Sequence, residues 1–340
     1  MFDSAVFTIL GFFFLCFFHP QTDKHQQEPI VIEGVTMGTS YRILYFDGAQ
    51  ARNFKAAVDS LLIKVNKAIN TYDSSSEISR FNRSARGICP ELPFLYDIAK
   101  KAKKIHQASD GSFDPTVMPL VNAWGFGPEK SLAPSPNKIE SLRKLVGFDG
   151  IRLSKKRISK SAAGMQIDMS GIGQGYGADV IFQFLRLKGI QHMLVELGGE
   201  GLSLGKNLQK DKPWTIGILD PNSTPDHQFF KAYVTLHDKA FTTSGNYFNY
   251  KIIDGRKFGH TIDPRSGYPV QNSLLSASVF ADDCTTADAW ATAFMVLGIE
   301  KAIAKVKTLK GIDALFIFSS EKGELETYIT PAIQKNVILE

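Results

Sequence analysis

Asp168-Met169-Ser170-Gly171-Ile172-Gly173-Gln174-Gly175-Tyr176-Gly177-Ala178-Asp179 carries glycine at every second position from 171 to 177. Met165 to Asp168 reads as a short strand and Gly175 to Lys188 as a helix, so the glycines join strand to helix. Four glycines in seven residues cost backbone entropy, which a chain accepts where its backbone must come close to something. A loop that opens a helix also presents free N–H groups suited to phosphate. A tight strand-to-helix turn with no ligand is the plainer alternative. By its letters Gly173-Gln-Gly175-Tyr-Gly177-Ala178 also satisfies G-x-G-x-x-A, and Glu196 closes the next strand about where a ribose-binding acid would stand. A nicotinamide-type fold is nonetheless disfavoured. The match sits mid-chain with no βαβ series around it, and polar Asp168 and Ser170 occupy the place of an apolar strand end.

Outward from this stretch, the local period switches often between two and about 3.6 from Pro29 onward, with no Ser/Gly-rich linker and no internal repeat. Ile30 to Val35 and Ser40 to Phe46 read as strands. Arg52 to Asn70 reads as an amphipathic helix with Phe54, Val58, Leu61, Leu62, Val65 and Ile69 on one side. Leu92 to Ser109 forms a second helix, and Ser135-Pro136 starts a third that runs to Val146 with Gly147 just past its end. The second half is richer in strands: Met165 to Asp168, His192 to Glu196, Trp214 to Leu219, Lys231 to Leu236, Leu274 to Phe280 and Ala314 to Phe318. Between them lie the helices Gly175 to Lys188 and Thr285 to Leu297. The expectation is one α+β unit over residues 30–340.

The 340 residues are 44% hydrophobic and 21% charged, the make-up of an ordinary globular protein, which excludes disorder and collagen-like repeats. The net charge of +5 is spread along the chain in short clusters such as Lys100 to Lys104 and Lys155 to Lys160, so nucleic acid is not an expected partner. Cys16, Cys89 and Cys284 have no metal-type spacing, and a Cys89 to Cys284 bridge is left open. At the N-terminus, Val6 to Phe18 is an apolar run that breaks at His19-Pro20 and passes into a polar stretch up to Pro29. It is shorter than the ~20 apolar residues of a spanning helix and suits a secretion signal. The division expected is therefore a signal or lipoprotein-type segment at 1–18, a polar linker at 19–29 and the folded unit. Export to the periplasmic side of the inner membrane follows, with a lipid anchor at Cys16 as a further option. Two features depart from the usual pattern: no Lys or Arg precedes the run, and Leu15 rather than a small residue precedes Cys16.

Two constellations carry chemistry. Asp288-Ala-Trp-Ala-Thr292 lies in the last predicted helix, and i, i+4 spacing puts the carboxylate and the hydroxyl on one face. With a backbone carbonyl from the glycine-rich turn they form an incomplete hard-oxygen shell, the type Mg²⁺ takes when substrate phosphates complete it. Taken alone, a Thr bonded into its own helix and an Asp near a helix N-terminus explain the same residues. His260-Thr-Ile-Asp263-Pro264 follows a glycine-dotted segment, and Thr242 to Gly245 before it reads as a small, polar, ligand-facing loop. His260 is the histidine best placed to act as base or phosphate partner. No G-x-S-x-G hydrolase elbow is present.

Taken in order, these segments resemble the ApbE family, the FAD:protein FMN transferases. The resemblance rests on Met37-Gly38-Thr39, Asn70-Thr71-Tyr72 with Ser79-Arg80-Phe81-Asn82, and Gly111-Ser-Phe-Asp114-Pro-Thr116 with Trp124-Gly-Phe-Gly127. It continues through the glycine-rich stretch, Glu196-Leu-Gly-Gly-Glu200-Gly, Thr243-Ser-Gly, His260-Thr-Ile-Asp263-Pro and Ala287-Asp288-Ala-Trp-Ala-Thr292. It implies a single T-fold-related α+β domain with mixed or antiparallel sheets and flanking helices. It also implies binding of FAD as substrate with Mg²⁺ at its diphosphate, and transfer of FMN to a Ser or Thr hydroxyl of an acceptor protein with AMP leaving. By resemblance Met37, Tyr72, Ser112, Phe113, Asp114, Asp168, Gln174 and Ile262 are flavin- or adenine-contacting positions. Gly171 through its carbonyl, Asp288 and Thr292 match the metal shell, and His260 matches the histidine beside the diphosphate. Two departures stand out: Ala291 where an acid often precedes the metal-binding Thr, and neutral Gln174 where a charged residue is common. The implied acceptors are membrane-bound redox subunits of quinone reductase or electron-transport complexes. Alternatives from other classes are a metal-dependent FAD pyrophosphatase and an exported flavin-binding protein without catalysis.

Overall fold

The computed structural model describes residues 28–128, 134–224, 226–246, 250–253 and 256–340, with backbone alone at 250–253 and 256–257. The apolar run with Cys16 and nearly all of the polar linker lie outside the described residues.

Eight strands form the main sheet, and their order in space is their order in the sequence: β1 (Ile30–Thr36), β2 (Thr39–Phe46), β3 (His192–Leu197), β4 (Glu200–Leu204), β5 (Ala240–Gly245), β6 (Leu274–Ala281), β7 (Asp313–Ser319) and β8 (Leu325–Ile329). Every neighbouring pair is antiparallel. A dinucleotide-binding fold needs parallel strands with crossover helices, so the G-x-G-x-x-A match at 173–178 is a coincidence of letters. β1 and β2 meet in a two-residue turn, Met37-Gly38, with Thr36 opposite Thr39. Both turn residues have positive φ, +50° and +74°, as tight hairpins require. For Met37 that is an uncommon backbone state.

The connection from β2 to β3 holds α1 (Lys55–Ile69), α2 (Pro93–Ala108) and α3 (Gly173–Leu187), and α4 (Cys284–Leu297) follows β6. These helices cover one face of the sheet. A second sheet, of Val337–Leu339, Phe230–Leu236, Lys212–Leu219 and Lys206–Asn207, covers the other. The sheet is thus buried on both faces, which explains the nearly unbroken apolar run of β6. Leu274, Ala277, Val279 and Ala281 pack toward the helices, whereas Phe280 meets Phe241, Trp214 and Leu315 on the far side. α4 is buried on almost every side, between β5 and β6 and the helices α2 and α3.

The strands and helices expected from the sequence are present, with ends shifted by a few residues, except at two places that matter for the site. Met165 to Asp168 forms no strand and joins no sheet. Its backbone is held partly by side chains: the Asn82 amide exchanges two hydrogen bonds with Ile167, at 2.8 and 2.9 Å, and Lys160 Nζ donates to the Met165 carbonyl at 2.6 Å, while Asp168 N donates to the Pro115 carbonyl at 2.8 Å. Such local partners are invisible to a two-residue period. Thr242 to Gly245, expected as a loop, forms the end of β5, paired residue by residue with Val279 to Ser276. Cys89 is exposed and Cys284 buried, and both are free thiols, so the open question of a bridge between them is answered in the negative.

Candidate active site

The glycine-rich stretch packs so closely on α4 that side chains at two of its glycines would collide with that helix. A Cβ on Gly175 would stand 2.5 Å from the Cys284 carbonyl and 2.8 Å from Asp288 Cβ, and one on Gly171 would stand 2.9 Å from Thr292 Oγ1. At Gly177 the obstacle is Met37 Cε, 3.1 Å away. None of the four alternate glycines has a positive φ, so space, not backbone geometry, demands them. The close approach inferred from the sequence is therefore real, and at Gly171 and Gly175 the object approached is α4. It brings Asp288 Oδ2 to the Gly175 N–H at 3.0 Å and Thr292 Oγ1 to the Gly171 carbonyl at 3.3 Å. The Gly175 N–H is thereby used by a carboxylate, while Gly173 and Gln174, the first two residues of α3, line the cleft.

A second carboxylate fixes α4 from below. Asp179, mid-helix in α3, accepts from the backbone N–H of Cys284 at 2.8 Å and of Thr285 at 3.1 Å, and also from the Thr285 hydroxyl. Asp283 caps the same helix end by accepting from Thr286 N at 3.0 Å. Lys101 of α2 donates to both acids at 3.0 Å. These acids meet the unsatisfied donors and the positive end of α4, and they set the height of Asp288 above them.

Two joined cavities, each of about 380 Å³, open over this interface and share Thr71, Tyr72, Ser170 and Gln174 in their walls. Met37 lines the first; Asp168, Gly171, His260, Ile262, Asp288 and Thr292 line the second. Tyr72 stands on the shared rim, two-thirds exposed, with its hydroxyl donating to the Phe126 carbonyl at 3.2 Å. Asp168 accepts from the Ser170 N–H at 3.0 Å and hydroxyl at 2.6 Å, which folds the start of the glycine turn. Of the residues singled out in the sequence, three are not brought to the cavity walls. Ser112 and Phe113 are buried behind them, and Asp114 is spent on Thr116 N at 2.8 Å, Thr116 Oγ1 at 2.6 Å and Phe148 N at 3.3 Å. Asp263, the other acid near His260, is held by Arg265 in a paired ion bridge and does not line the cleft.

The electrostatics of the second cavity are those of an acid-rich, poorly solvated wall. Burial pushes the Asp288 carboxyl up to about 7; the Gly175 N–H opposes this, and the Asp179 charge adds a smaller upward push. Burial likewise raises Asp168, opposed by its bonds from Ser170. Glu200, the first residue of β4, was not marked by the sequence as a site residue, yet it lines the same cavity and is buried. Its carboxyl is pushed well above the usual range by burial and by Asp288, and its Oε2 has no hydrogen-bond partner among the described residues. Its signals were its place in the Glu196-Leu-Gly-Gly-Glu200-Gly motif and its position directly after the Gly198-Gly199 turn. Among the described residues no three His, Cys, Asp or Glu converge as a metal site. The oxygen donors present, Asp288, Thr292, the Gly171 carbonyl and the unpartnered Glu200 oxygen, fit instead a hard cation that takes part of its shell from a ligand.

An antiparallel sheet walled by helices, with an acid and a hydroxyl on one buried helix beside a glycine turn, defines a class that the comparisons identify. The model of the ApbE family matches residues 37–316, and the chain belongs to this family. It is 34% identical over 306 residues to the FAD:protein FMN transferase of Vibrio cholerae serotype O1, covering 87% of this chain and 89% of the relative. To the FAD:protein FMN transferase of Escherichia coli strain K12 it is 33% identical over 339 residues, 97% and 95% of the two chains. Among solved structures, the flavin transferase ApbE from Vibrio cholerae superposes with a TM-score of 0.82 at 32% identity, over 91% of this chain and 99% of the other. The ApbE protein from Thermotoga maritima does so at 0.79 and 27% identity, with the same coverage.

Proposed function

We propose that this protein transfers FMN from FAD to a Ser or Thr hydroxyl of an acceptor protein and releases AMP. The single observation that carries this reading is the Asp288–Thr292 face of α4 locked against the Gly171 turn at the floor of the cleft. The relatives' shared name supports it. Asp288, Thr292 and the Gly171 carbonyl would hold Mg²⁺, which when bound neutralises diphosphate charge and eases departure of AMP. The flavin side of FAD lies in the cavity lined by Met37 and Tyr72, and the diphosphate lies over Gly171 to Gln174 at the start of α3. The acceptor oxygen forms a new bond to the FMN phosphorus as the bond from that phosphorus to the AMP phosphate oxygen breaks. The acceptor's proton passes to His260, the histidine on the cleft wall, since Asp263 is engaged by Arg265. The chain mainly positions the reactants, as phosphoryl transfer requires.

The same reading assigns residues 1–18 to a signal or lipoprotein-type segment, 19–29 to a linker and 30–340 to the catalytic domain. It places the enzyme at the outer face of the inner membrane, near membrane-bound redox acceptors. Among the described residues no helix is long and apolar enough to cross a membrane. Asp288→Ala tests the assignment: AMP release from FAD should fall by at least ~100-fold while unfolding stays cooperative. Undiminished AMP release would reject it.

A further inference from the structure

We infer that Glu200 is a second carboxylate of the divalent-cation site, acting alongside Asp288; this rests on the cation site just proposed. Glu200 opens β4 after two glycines, Gly198 and Gly199, with φ of +71° and +105°. That turn reverses the chain and aims position 200 back toward α3 and α4. Strand alternation puts Glu200 on the same face as Leu202, which packs with Ala178 of α3 and Cys284 of α4. The carboxylate is over nine-tenths buried, it reaches the wall of the cavity that Asp288 and Thr292 also line, and its Oε2 is unpartnered among the described residues. Its neighbours are accounted for. Glu196 accepts from Gly199 N at 2.5 Å, and Asp179 is saturated by Lys101, Cys284 and Thr285. Among the described residues no lysine or arginine forms an ion pair with Glu200 or with Asp288. Two buried acids facing one cleft without a protein cation are a costly arrangement. It becomes a useful one when a divalent ion is shared between them, because the second negative charge raises affinity for a +2 ion and leaves room for phosphate oxygens in the remaining positions.

The test is Mn²⁺ binding to the purified full-length protein without FAD, followed by electron paramagnetic resonance. Wild type should bind one Mn²⁺, and Mg²⁺ should displace it. Glu200→Gln, which keeps shape and removes charge, should weaken binding by about tenfold or more, and Glu200→Asp should recover most of the loss. Affinity unchanged in Glu200→Gln would overturn the inference while leaving the Asp288 site intact. Absence of Mn²⁺ binding in wild type, both without FAD and with it, would overturn both, so the two failures are distinguishable. A second measurement needs no variant. In wild-type protein labelled with ¹³C-glutamate, the infrared difference spectrum on adding Mg²⁺ should contain a shifted glutamate carboxylate band. A spectrum with aspartate bands alone would reject the role of Glu200.

Discussion

Asp288 is a buried carboxyl on a mostly apolar helix, and that placement has a sign. Its folded-state pKa of about 7 lies above the ordinary aspartate value. The cost of ionising it is therefore absent at pH below ordinary aspartate titration, grows as pH rises, and is complete above about 7. Metal-free protein should lose stability over that window. Asp288→Asn should raise the melting temperature at pH 8, by a stabilisation of roughly 1–3 kcal/mol at about 1.4 kcal/mol per pKa unit less the cost of the buried amide. The gain should vanish near pH 4. Thermal scans of both proteins at the two pH values decide this, and equal stability at pH 8 would contradict it. Residues of this kind were legible to different degrees. Asp288 and Thr292 could be read because i, i+4 spacing on a helix is a geometric fact of sequence. Glu200 could not, because its partner acid is 88 positions away and only the sheet brings them to one cavity. Ser112 to Asp114 shows the opposite limit: a buried motif next to the site whose Asp114 serves the turn around Thr116 and Phe148.

At the scale of elements, the interface between α3 and α4 is what makes the site. The sequence marked the place through its alternate glycines and offered a phosphate or a tight turn as their cause, and the structure adds a neighbouring helix against Gly171 and Gly175. Periodicity cannot say what a missing side chain makes room for. Gly175→Ala supplies the check. The added methyl would press on the Cys284 carbonyl and on Asp288 Cβ, so α4 must shift. Overpacking of this kind costs about 1–3 kcal/mol. Because α4 carries Asp288 and Thr292, AMP release should fall by more than the stability loss alone explains. A variant that is destabilised but fully active would show that the helix spacing does not set the site. The Met165 to Asp168 segment makes the same point about strands. Its alternation suggests a ladder, yet Ile167 and the Met165 carbonyl are held by the side chains of Asn82 and Lys160.

At the scale of the whole molecule, the eight-stranded sheet has space and sequence running in the same order, so most strands pair with a chain neighbour. That regularity explains why the α+β class and the main strands were readable from period and turn residues. It also explains why the long insertion between β2 and β3, which packs helices over the site, was read as separate elements without an arrangement. The glycine turn, the end of β5 with the His260 segment, and α4 come from separate parts of the chain and line one cavity. The central claim is that this meeting point moves FMN from one oxygen to another. The most direct measurement incubates the purified protein with FAD, Mg²⁺ and a Thr-bearing acceptor subunit of a redox complex, following AMP release together with the acceptor's intact mass. The account predicts an FMN-sized mass gain matched by an equal amount of AMP. AMP with free FMN and an unmodified acceptor would make the protein a pyrophosphatase, and FAD binding without any AMP would contradict catalysis altogether.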